Sequence, residues 1–252
     1  MAAVRRAAVA SVAAVAVAAA IGIVLTLTGD DDVQTRPSGD ESAAPYSPSI
    51  DPAGFTTAVD NPYFPLPPGA RWVYEGRVGD GLERTVVDVT GDTRVVMGVT
   101  CVVVRDTVSL DGEVIEDTFD WFAQDADGAV WYFGEETSEY EDGEIVSTEG
   151  AWEAGVDGAQ PGIAMPARPQ VGDSYRQEYY AGEAEDTAEV LSLTESATVP
   201  VGTYEDLLVT EDINPLEPEV VEHKYYARGV GPILTVQVQG GSDREELVEA
   251  PG

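Results

Sequence analysis

Basic residues are nearly missing from this chain. Only 13 lysines and arginines stand against 47 aspartates and glutamates, which gives a formal charge of −34 at neutral pH. Such a surface repels phosphates, so the balance argues against nucleic acid and anionic lipid headgroups as partners. Lysine is reduced to Lys224 and histidine to His223. His223 has no serine or cysteine nucleophile beside it, and no Gly-x-Ser-x-Gly elbow occurs anywhere, so triad hydrolysis lacks candidates. Cys101 is the one cysteine, which excludes a disulfide within the chain. One histidine and one cysteine also cannot build a zinc site. Cys101 lies in Val99-Thr100-Cys101-Val102-Val103-Val104, the setting of a small buried hydrophobe. Beyond residue 29 no stretch carries a 3.6-residue apolar period, which argues against a helical body. A phosphate-cradling glycine loop is missing too, since Gly76, Gly79 and Gly81 lack the required strand-to-helix context.

The first long apolar run, residues 7–28, follows Arg5-Arg6 and precedes Asp30-Asp31-Asp32. Basic before and acidic after orients the segment with its start in the cytoplasm and the remainder outside. The run suits a helix spanning a bilayer, yet Ala-Val-Ala at 14–16 and Ala18-Ala19-Ala20 also suit signal cleavage. Residues 1–28 are therefore expected as a transmembrane anchor or a signal peptide, and the body as extracytoplasmic either way. No Leu-x-x-Cys lipobox follows the run. Residues 29–59 read as a disordered linker.

The remainder reads as all-β. Asp60-Asn61-Pro62-Tyr63-Phe64-Pro65-Leu66-Pro67-Pro68-Gly69 is an extended lead-in that prolines keep out of helix. Val-rich and alternating runs follow, punctuated by Asp111-Gly112, Asp125-Ala126-Asp127-Gly128 and Asp142-Gly143 turns. Parts of the second half resemble the first at a nearly constant offset: Gly69 with Gly172, Gly98 with Gly202, Trp121 with Tyr225, Gly128 with Gly231. The expected architecture is an internal duplication, with two similar curved antiparallel sheets forming a sandwich or half-barrel. Its parts are a first β unit over 60–148, a connecting strap over 149–170 and a second β unit over 171–249. The strap is expected to cross the sheet, because Trp152 and Met165 need cover.

Chemistry is harder to place. Alternation sets Asp117 on one face with Ile115, Phe119 and Trp121, and Glu116 and Asp120 on the other. Asp117, if inward, needs an arginine or a turn as partner. Lys224, which matches Asp120 in the second unit, is a possible cross-sheet partner for it. Asp125 and Asp127 begin like a calcium loop but lack the third ligand and the distal glutamate, so calcium is a weak expectation beside a plain turn. The aromatics are more suggestive. Trp72, Trp121, Trp131 and Trp152 in the first part and Tyr225 in the second are candidate ligand-binding residues, beside the plainer reading of a sheet core.

Four blocks carry a family resemblance: Asp60-Asn61-Pro62-Tyr63-Phe64-Pro65-Leu66, Glu116-Asp117-Thr118-Phe119-Asp120-Trp121-Phe122-Ala123-Gln124-Asp125, Val130-Trp131-Tyr132-Phe133-Gly134-Glu135 and Lys224-Tyr225-Tyr226-Ala227-Arg228-Gly229-Val230-Gly231. Through them the chain resembles a group of secreted or membrane-anchored β-rich proteins of high-GC, actinobacteria-like bacteria. Each half is also loosely similar to lipoprotein-carrier-like half-barrels. The first resemblance implies no activity; the second implies a curved sheet around an apolar ligand. The expectation is a non-catalytic protein that binds or scaffolds a hydrophobic or cell-envelope ligand. The alternatives are a carboxylate-dependent hydrolase and a calcium-stabilised interaction module.

Overall fold

Antiparallel strands build the body in a computed structural model, which describes residues 46–252. The anchor or signal expected over 1–28, and the linker up to residue 45, lie outside the described residues. Apart from a single 3-10 turn at Pro52–Gly54, the described elements are strands. They are β1 (Phe55–Thr56), β2 (Arg71–Val78), β3 (Gly81–Val96), β4 (Val99–Leu110), β5 (Glu113–Asp125), β6 (Val130–Glu141), β7 (Glu144–Ser147) and β8 (Trp152–Glu153), followed by β9 (Gln160–Met165), β10 (Ser174–Arg176), β11 (Glu178–Tyr179), β12 (Thr187–Val199), β13 (Gly202–Ile213), β14 (Val221–Ala227), β15 (Gly231–Gln239) and β16 (Arg244–Glu249). Among the described residues no helix is long and apolar enough to cross a membrane.

The turns form where the residues permit them. Asp111 and Gly112 both take positive φ, 51° and 89°, as do Asp142 and Gly143, 54° and 78°. Two consecutive positive values match the twist of a tight hairpin, and Asp-Gly tolerates them. The two halves follow one strand order, β2-β3-β4-β5-β6-β9 and β10-β12-β13-β14-β15-β16. They do not remain separate sheets. The last strand of the second half pairs with the first strand of the first, with Glu245 opposite Gly76. At the other seam β10 pairs with β12, while β11, one residue further on, pairs with β9. The chain thus steps from one neighbour to the other at Gln177, and the sheet curls into a nearly closed barrel. Both seams run past a glycine. A Cβ on Gly76 would lie 2.8 Å from the Arg244 carbonyl oxygen, and one on Gly162 2.2 Å from that of Gln177. Glycine lets the backbones approach there.

Residues 149–170, expected as a strap over the face, instead enter the sheet. Trp152 pairs with Glu135 and Met165 with Val130, so their backbone groups find ladder partners and both side chains are buried. The expected linker is also ordered from residue 46 onward. Tyr46 donates its hydroxyl to the Pro161 carbonyl and packs edge-on against Tyr179, and Phe55 sits against Trp131 and Phe133. These aromatic seats outweigh the polar composition of the surrounding residues.

One end of the barrel is filled. The lead-in runs across it, tied by Asn61 Nδ2 to the Gly128 and Pro166 carbonyls. Phe64 rests on Phe122 at 5.4 Å, and Phe122 stacks on Tyr132. The second half closes from the opposite side, where Trp72 Nε1 donates to Val230 and the Tyr74 hydroxyl to Pro232, while the Gly229 N–H donates to the Pro62 carbonyl. The lead-in therefore joins both halves. The space left between Phe64, Leu66, Trp72 and Pro232 is about 10 Å³. A water molecule needs at least that much.

Candidate functional site

The other end of the interior is acidic. Register places Glu116, Thr118, Asp120 and Phe122 on one face of β5, opposite Val108, Asp106, Val104 and Val102. Across the next strand Asp120 faces Glu135 and Thr118 faces Thr137. This face, whose orientation the alternation left open, lines the barrel, with Thr118 and Asp120 fully buried. Asp117 is on the outside, where Arg105 grips it through Nε at 2.7 Å and Nη2 at 3.0 Å. A shift in register between Asp120 and Phe122 then lets Trp121 and Phe122 both be covered.

From the second half come Asp186, Asp212, Lys224 and Glu245, and from the closing strand Glu178, all buried. Lys224 Nζ lies 3.1 Å from Asp212 Oδ2 and 4.0 Å from Glu222. Burial works against its charge, but Asp212 and Glu222 outweigh that and raise its pKa. Asp120 is not its partner; that carboxyl accepts the Tyr132 hydroxyl at 2.7 Å. Burial pushes Asp120 up to about 7, against the Tyr132 hydrogen bond and with Glu116 adding to it. Asp186 is likewise pushed up to about 7 by burial, with Lys224 opposing. Burial also carries Glu135, Glu178 and Glu245 well above the ordinary carboxyl range. In Asp120, Glu135, Glu178, Asp186 and Glu245 the acidic end thus holds carboxyls whose burial favours the protonated form, with one lysine among them.

This interior meets the surface at an opening of about 280 Å³ beside β8. Arg94, Trp121, Glu136 and Glu153 contribute to it, together with Glu135, Trp152 and Tyr180. Glu135 and Glu136 are consecutive on one strand and point to opposite faces, so the opening sits at a break in the wall. The break arises where β6 changes partner from β8 to β9. At its rim the Arg94 guanidinium lies 3.8 Å over the Trp121 ring and bonds Glu153 at 2.5 Å, with Glu136 at 3.5 Å. At its floor Glu135 is 4% exposed, and its Oε1 accepts no hydrogen bond. A second, wider groove of about 870 Å³ lies outside, around Arg105, Ile115, Asp117 and Tyr140, and its guanidinium is already held by Asp117.

The candidate residues divide between these places. Trp121 and Trp152 meet at the opening. Trp72 belongs to the closed end, and Tyr225 is half-buried opposite Val209 and Leu234. Trp131 lies under Phe55 and donates its indole N–H to Asp125 Oδ2 at 2.8 Å. Oδ1 of Asp125 accepts the N–H groups of Asp127, Gly128 and Ala129. Both oxygens are therefore engaged within the turn, and Asp127 is exposed beside it. Among the described residues no group of three or more histidine, cysteine, aspartate or glutamate side chains is placed to hold a metal ion. Cys101 is fully buried, and burial pushes its thiol up to about 12. The carboxyls of the interior, Glu135 foremost, went unselected in sequence. The available signal was the period-two run Glu116-Thr118-Asp120-Phe122 facing Glu135 and Thr137.

No family model matches the chain and no curated protein matches it, so the resemblance noted in sequence gains no support there. Among solved structures it is similar to a chain of Parabacteroides distasonis described as a "putative lipoprotein". The two are 14% identical with a TM-score of 0.40, and the match covers 75% of this chain and 97% of that one.

Proposed function

We propose that this is an extracytoplasmic, non-catalytic β protein that binds or scaffolds a component of the cell envelope at the opening beside β8. The observation that carries the reading is that Trp121 and Trp152 line one opening together with the buried Glu135. The charged flanks of residues 7–28 support the extracytoplasmic placement. A long hydrophobic ligand is disfavoured, because the apolar end is closed to about 10 Å³. The hydrolase alternative needs two carboxyls reaching one substrate. Asp120 and Glu135 do face each other, yet Asp120 accepts the Tyr132 hydroxyl and does not line the opening, while Glu136 and Glu153, which do, are already paired with Arg94.

The test is to purify the full chain from its own envelope fraction in mild detergent and analyse the extracted small molecules by mass spectrometry. A bound component in near-stoichiometric amount is expected, lost in Trp152→Ala. A chain that carries nothing, and whose tryptophan emission no envelope extract changes, would end the reading.

A further inference from the structure

The opening beside β8 has a charge imbalance that narrows what it accepts. Its one cation, Arg94, is committed to Glu153, Glu136 and the face of Trp121. Asp157 also lines the rim, and the floor is Glu135, whose Oε1 has no hydrogen-bond partner. A buried carboxyl oxygen without a donor is costly to leave so. What it lacks is a donor or a positive charge, and every group facing it from inside is unable to supply the charge. Those groups are Asp120 and Glu116 on β5, Tyr132 on its own strand, and Glu178 and Asp186 on the closing side. The Trp121 face is taken by Arg94, but Trp152 and Tyr180 supply further aromatic surface around the same space, and aromatic rings attract cations. The volume, about 280 Å³, falls just below the range that holds drug-sized ligands. The field of a molecule with formal charge −34 concentrates cations at its surface and repels anions.

We infer that the opening beside Trp152 is a binding site for a small organic cation bearing an ammonium group, seated between the aromatic rings with its charge on Glu135. This inference rests on the binding reading above and specifies its ligand. Pairing requires Glu135 to give up a proton, since burial, then Asp120 and Glu116, favour its neutral form. Association therefore releases a proton and strengthens as the pH rises.

The test titrates the full chain with choline and with n-butylamine, following tryptophan emission and heat, with 3,3-dimethyl-1-butanol as the uncharged counterpart of choline. Both cations should bind more tightly than the alcohol, more tightly near pH 8 than near pH 6, and less tightly in about 1 M salt, where exposed charges are screened. Glu135→Gln should weaken the cations by about tenfold or more, since it removes the buried partner charge. Glu153→Gln, at the rim, should weaken them less. Melting of each variant shows that the fold persists, and the alcohol titration reports the state of the opening in the same sample. Equal binding of cation and alcohol, or cation binding unchanged in Glu135→Gln, overturns the ammonium assignment. If an envelope extract changes the emission while neither cation does, the assignment falls and the binding function stands. If neither extract nor cation changes it, both fall.

Discussion

Lys224 shows how much of the interior depends on single side chains. Its ammonium is the partner of Asp212 and stands beside Glu222, and it opposes the burial that raises Asp186. Replacing it with methionine keeps the volume of the stem and removes the charge. Breaking a buried pair from one side is strongly destabilising, so Lys224→Met should lose about 3–5 kcal/mol in urea unfolding. A loss below about 1 kcal/mol would mean that the pair is incidental. The residue scale is also where the sequence was least legible. The alternation of residues 115–121 could be read, but not which face turned inward. One face carries Glu116 and Asp120, the other Ile115, Phe119 and Trp121, and apolar preference selects the second. The barrel reverses this choice because tyrosine and threonine hydroxyls, a lysine and retained protons accommodate acids inside.

At the scale of elements, the hairpins were legible and the seams were not. Asp111-Gly112 and Asp142-Gly143 announce their turns by local conformation alone. β9, Gln160–Met165, contains a proline and a glycine and has little strand propensity. It becomes a strand because β6 and β11 flank it, a tertiary cause that no local window contains. The same holds for β16, whose pairing with β2 joins distant parts of the chain. Gly162 makes the first of these seams sensitive to one substitution. A valine there would drive its Cβ into the Gln177 backbone, 2.2 Å away. Gly162→Val should part β9 from β11. Hydrogen exchange in residues 160–165 and 174–179 is then expected to speed up by an order of magnitude or more relative to β3 and β4, whose pairing lies elsewhere. Uniform protection across all four segments would show that the seam contributes nothing to closure.

For the whole molecule the acidic interior sets the response to pH. Asp120 and Asp186 stand at about 7 in the folded state, and Glu135, Glu178 and Glu245 are raised as well. In the unfolded chain such groups titrate near 4, so between those values the native state holds protons that the unfolded chain has released. The contribution of these groups to stability is then greatest below about pH 4 and declines as the pH rises through about 7, the reverse of that of salt-bridged carboxylates. Self-repulsion of the −34 charge acts in the same direction. Thermal melts should show a midpoint several degrees higher near pH 5 than near pH 8. A midpoint that is flat, or higher at pH 8, would mean that the interior carboxyls are ionised and matched by cations.

The seam between Glu245 and Gly76 has a temporal meaning. During synthesis β2 emerges early, yet its outer edge has no mate until residues 244–249 have left the ribosome. For that interval the nascent chain offers an open row of peptide groups, a template for unwanted pairing. A ring of this kind cannot finish one half ahead of the other. It favours a route in which the polypeptide closes in a single late event, once its last strand has arrived.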